Sequence, residues 1–296
     1  MKKLFNLFHN SKVDLMQLIK LVVFTLLVIN YIYYFREDWL VASHTMRNGG
    51  SFLDWTGAFA TTIDDSAWLM LIILFELETY ILSYEPLAPA KRLAMQTIRI
   101  ICYFSLTHTF YVYLLNAYDL SMVTPILDVS NLCQLVNGNV SFTSNLLYTE
   151  LNAVNCHTLS TASQFFYIEP PNTLIVTDNA GFIIAKELAW FDLMEISTWM
   201  LIILTIEIIV RLQERNITRG TLIKRLNITK FFLYSILWIV ISYWIYRGHW
   251  VYAWDEFVWI VGFMAIEMNV VEWRDELDEH INETTLETVD ITNTNS

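Results

Sequence analysis

Six apolar runs, at residues 15–35, 67–84, 97–117, 190–212, 231–246 and 257–271, limit what this chain can become. Around 20 apolar residues in a helix cover the roughly 30 Å of a bilayer core, and only helices satisfy their own backbone there. Composition agrees. Charged residues make up 16% of the chain, against about 25% in soluble domains, and the mean hydropathy is +0.42. The expected fold class is an all-α polytopic membrane protein. Its six transmembrane helices are read as three parallel two-helix hairpin repeats, with a small loop domain. The predicted membrane domain covers 15–271.

Residues 1–14 are a basic lead-in. The run at 15–35 is too long for a signal-peptide core and continues into YIYYFRED without a small-residue cleavage site, so it reads as a retained helix. Residues 36–65 read as a polar connection in which SFLDWTGAFATT lies along the membrane surface. The loop at 118–189, inserted in the second repeat, holds Cys133 and Cys156; within it TLIVT-DNAG-FIIA reads as a β-hairpin. The tail at 272–296 is acidic and expected to lack a packed fold.

Placing the N-terminus inside puts fourteen of the 18 Lys and Arg on the inner side. Only Arg36, Arg47, Lys186 and Arg247 remain outside. The reading is therefore a cell (inner) membrane protein with both termini cytoplasmic and the 118–189 loop extracytoplasmic. On that oxidising side Cys133 and Cys156 can pair, while Cys102 in an apolar run is a core thiol.

Three segments repeat: WLMLIILFE at 68–76, WMLIILTIE at 199–207 and WIVGFMAIE at 259–267. Each places a Glu eight residues after a Trp. The preceding helices open alike, with MQLIK at 16–20, MQTIR at 95–99 and LNITK at 226–230. Glu76 to Arg99 and Glu207 to Lys230 are both 23 residues. Three tandem units about an axis along the membrane normal fit these spacings.

Glu76, Glu207 and Glu267 are the candidates for function. A charge near mid-membrane costs on the order of 2.5–3.5 kcal/mol. One explanation is salt bridges to Lys20, Arg99 and Lys230, one per unit. The other is a proton or monovalent-cation pathway through the three carboxylates, with His108 as a relay. Asp64, Asp65, Glu195, Asp255 and Glu256 then form an outer acidic vestibule, although acids near helix starts also suit N-capping. Asp65 to Glu76 and Glu256 to Glu267 are 11 residues apart, so each pair shares a helix face.

Arg211, Arg215 and Arg219 recur every four residues, either as inner-side positive charge or as a contact to lipid headgroups. No Walker loop, GxGxxG or HExxH is present, so no cofactor or metal is implied. No nucleophile-plus-base signature marks an enzyme. No basic patch interleaved with aromatics suits nucleic acid. The partners expected are the lipid bilayer, a proton or cation, and a protein at the outer loop or acidic tail. The functional expectation is proton or cation translocation; the alternative is a non-transporting scaffold or accessory subunit with the carboxylates in structural salt bridges.

Overall fold

The computed structural model describes residues 2–81, 89–169, 172–215, 217, 220–264 and 267. The acidic tail, Arg219 and most of 265–271 lie outside that set. The helices are α1 (Lys2–Thr45), α2 (Phe52–Ala58), α3 (Ala60–Ile81), α4 (Pro89–Met122), α5 (Cys156–Leu159), α6 (Asn179–Glu214) and α7 (Thr221–Arg247). A further helix, α8, covers residues 250–264. Four helical stretches are long and apolar enough to cross a membrane: Leu18–Thr45, Pro89–Met122, Asn179–Leu212 and Thr221–Arg247. A fifth is counted if α2 and the start of α3, bent by 72°, act as one broken span. The sixth expected span begins in α8 and runs past the described residues.

Two compact units divide the chain: Met1–Val28 with Thr198–Ser296, and Ile29–Ser197. The second unit contains a four-stranded sheet of β1 (Ser141–Ser144), β2 (Leu147–Glu150), β3 (Phe165–Glu169) and β4 (Asn172–Asp178) in the order β2-β1-β4-β3. Antiparallel hairpins β1–β2 and β3–β4 meet through a parallel β1–β4 pairing. Asn145 and Leu146 turn the first hairpin, both with positive φ, as a two-residue type I′ turn demands.

Successive strand residues point to opposite faces, and on β1, β3 and β4 both faces are packed, while the edge strand β2 is largely exposed. Phe165 and Val176 pack with Leu132, Phe142 and Cys156 on one face. Phe166 and Ile175 pack with Ala117 and Leu120 of α4 and with Ala189, Leu193 and Ile196 of α6 on the other. A Cys133–Cys156 disulfide, with Cα atoms 5.0 Å apart, ties the first face together as expected from the loop's two cysteines. Cys102 is a buried free thiol.

Sequence and structure part at two places. TLIVTD is β4, but FIIA opens α6 and does not return as a strand; the partner of β4 is β3. Asp178 Oδ1 accepts the Gly181 N–H at 2.9 Å and so caps the helix. Phe182, Ala185, Ala189, Leu193 and Ile196 then recur at helical spacing against the sheet. A Cβ at Gly181 would sit 2.1 Å from Thr177 Oγ1, so only glycine allows that approach.

The second difference is the 36–65 connection. The α1 helix continues through Arg36, Glu37 and Asp38 to Thr45. Asp38 is held within the fold: its Oδ2 accepts from both the N–H (2.9 Å) and the hydroxyl (2.7 Å) of Thr62. Farther along, Arg47 donates to Glu150 at 2.8 Å and to Ser141 at 2.9 Å, and His44 stacks on Tyr148. The end of α1 is thereby latched to the sheet.

The sheet also carries a titrating pair. Tyr148 donates to Glu169 at 3.4 Å, and burial raises the Glu169 carboxyl from 4.5 to about 7. The Tyr148 hydroxyl is raised in turn by its own burial and then by that carboxylate. The folded sheet holds the Glu169 proton more tightly than the unfolded chain does. Its contribution is therefore complete below pH 4.5 and disappears as pH rises through about 7. Limited proteolysis of the sheet domain in urea is expected to be slower at about pH 5.5 than at about pH 8, by about 2 kcal/mol in opening energy. Glu169→Gln is expected to flatten that profile.

Candidate functional site: a carboxylate and hydroxyl cluster

In the second unit α1, α3, α4 and α6 bring three acids around one tyrosine, with a fourth beside two of them. Tyr113 of α4 lies 3.3 Å from the Thr61 hydroxyl of α3. Thr61 and Thr62 both bond Asp38 of α1. Asp38, Asp64 and Asp192 all lie within Coulombic reach of the Tyr113 hydroxyl. Glu195 is within reach of both Asp64 and Asp192. Asp64 Oδ2 accepts the Trp68 indole N–H at 3.0 Å, while its other oxygen, Oδ1, is buried with no hydrogen-bond partner among the described residues. A buried carboxylate oxygen left without a donor is costly, so it calls for a proton or a cation. Among the described residues no three carboxylates have oxygens within 4.8 Å of one another.

That spacing changes the reading of the acids near the helix starts. Neither α3 nor α6 has an acid in its first turn, and Asp255 stands beyond the first turn of α8. N-capping is therefore not what Asp64, Glu195 or Asp255 does. Asp65, Asp255 and Glu256 are buried rather than lining an open mouth. In the first unit, both carboxylate oxygens of Glu256 take the Trp199 indole N–H, at 3.0 and 3.1 Å.

The three repeat carboxylates have unlike surroundings. Glu267 accepts from Lys230 Nζ at 2.5 Å and from the Tyr234 hydroxyl at 2.9 Å; this pairing was one of the two explanations available from the sequence. Glu207 pairs with Arg211 one turn along α6, at 2.9 Å. Glu76 is half-buried, as are Lys20 and Arg99. His108 sits 3.0 Å from Thr56 of α2, so it ties α4 to the short bent helix rather than to a carboxylate.

Asp38, Asp192 and Tyr113 were missed by sequence reasoning. Asp192 stands three residues before Glu195, hence on one face of a helix, and that was the available signal. Asp38 and Tyr113 had none, because only long-range packing brings them to α3.

Four helices, or five with the bent pair, are long and apolar enough to cross a membrane, which is compatible with a polytopic helical membrane protein. No protein-family model, curated protein or solved structure matches the chain.

Proposed function

We propose that this protein carries protons across a membrane, taking them up at the cluster of Asp38, Asp64, Asp192, Glu195 and Tyr113. The observation behind this reading is the buried Oδ1 of Asp64, without a donor among the described residues and beside other carboxylates. Asp65 and Glu76 share a face of α3 about 17 Å apart; protons crossing that distance take a chain of waters. In this reading Glu207 and Glu267 are held by their cations and serve structure. The six-span, threefold plan belongs to the same proposal. Buried Trp68, Trp199 and Trp259 are what equivalent positions in three two-helix units would give.

Dicyclohexylcarbodiimide adds to protonated carboxyls in apolar surroundings and tests the assignment. After treatment of the protein in lipid vesicles, peptide mass spectrometry is expected to find the adduct on Asp64 or Asp192. An adduct on Glu207 or Glu267 alone, or none, contradicts the proposal.

A second reading, a non-transporting scaffold, is favoured by the closed Lys230–Glu267–Tyr234 group, which leaves Glu267 little freedom to exchange protons. It differs in expecting no labelled carboxyl in the membrane domain.

A further inference from the structure

The start of α7 carries a groove of about 570 Å³, lined by Gly220, Lys224, Asn227, Ile228, Phe231 and Phe232. These positions form one stripe of a helix, since they recur at three- and four-residue steps. The stripe is ordered. Its first turns are polar and cationic; its next turns are apolar, with Phe231 69% and Phe232 62% exposed. Among the described residues, nothing fills the space where a side chain on Gly220 would project, and no side chain caps the helix. Lys224 is exposed and makes no ion pair among the described residues, and the same holds for the neighbouring Arg215 and Arg225.

We infer that this groove is a binding site for an anionic phospholipid of the leaflet in which α7 begins. Its phosphate would lie on Lys224 and Asn227, and an acyl chain along Ile228, Phe231 and Phe232. Charge complementarity selects an anion, and the run of apolar side chains leading into the span selects one that carries a lipid tail. A soluble phosphate would have no use for that apolar floor. A second copy of the chain would have to bring acidic groups to Lys224.

The test uses the full-length protein reconstituted in phosphatidylcholine vesicles doped with phosphatidylglycerol, then extracted in mild detergent for native mass spectrometry. Phosphatidylglycerol is expected to be retained over phosphatidylcholine by about fivefold, the effect of one basic residue at an anionic surface. Lys224→Gln is expected to remove that preference, and Phe231→Ala to lower retention of both lipids. Lys91→Gln, an exposed cation outside the groove, is expected to leave the preference intact. Circular dichroism and an intact Cys133–Cys156 disulfide verify that each variant has folded. Equal retention of the two lipids by the unmodified protein would overturn the inference. So would an unchanged preference in folded Lys224→Gln, displacement of the lipid by millimolar phosphate, or a lipid-free dimer.

Discussion

Replacing Lys230 with Met is expected to destabilise the protein by about 3–5 kcal/mol, the cost of stranding one partner of a buried ion pair. Lys230 and Glu267 have side chains only 14% and 21% exposed, so the carboxylate left behind meets little water. Tyr234 remains to donate one hydrogen bond, which is too little to replace a cation. Removing both charges, as in Lys230→Met with Glu267→Leu, is expected to return most of the loss, because apolar pairs of similar volume often match buried ion pairs. Arg211→Gln is the contrasting case. Arg211 is 71% exposed in its pair with Glu207, and pairs of that kind contribute less than about 1 kcal/mol. Unfolding in mixed detergent micelles, followed by circular dichroism, ranks the variants. A Lys230→Met loss no larger than that of Arg211→Gln would mean the pair is not buried as described.

That pair was one of two explanations the sequence offered, and the same spacing assigned Arg99 to Glu207, whose carboxylate pairs with Arg211. A carboxylate in an apolar run needs a cation, and Lys230 and Glu267 occupy matching ends of consecutive helices. The disulfide was legible directly: two cysteines in one polar loop and a third in an apolar run leave a single pairing. The sheet was half legible. The β-rich run TLIVT is β4, but DNAG resembles both a hairpin turn and a helix cap. The choice between them was made by the 182, 185, 189, 193, 196 stripe and by what it packs against. Residues 36–65 misled because polar composition was taken for a loop. Asp38 shows why that fails: a helix keeps a charged residue when another helix brings donors to it, here Thr61 and Thr62. The acidic cluster itself was partly visible, through Asp64 and Glu195. Its other members come from α1, α4 and a second position on α6, and no local pattern announces that these meet.

The proposed proton uptake has a sharp consequence. Asn in place of Asp64 or Asp192 keeps the size and polarity of the side chain while removing the group that can gain and lose a proton. In Asp64→Asn the Trp68 indole can still donate to the amide oxygen of the new side chain. The helix contact at 3.0 Å is thereby retained, and folding is expected to survive. Glu207→Gln removes only an exposed helix pair. The deciding measurement is proton flux into proteoliposomes under an imposed pH gradient. The unmodified protein and Glu207→Gln are expected to exceed protein-free vesicles, whereas Asp64→Asn and Asp192→Asn fall to the background leak. Flux through folded Asp64→Asn and Asp192→Asn equal to that of the unmodified protein, or no flux through the unmodified protein at all, would contradict the account.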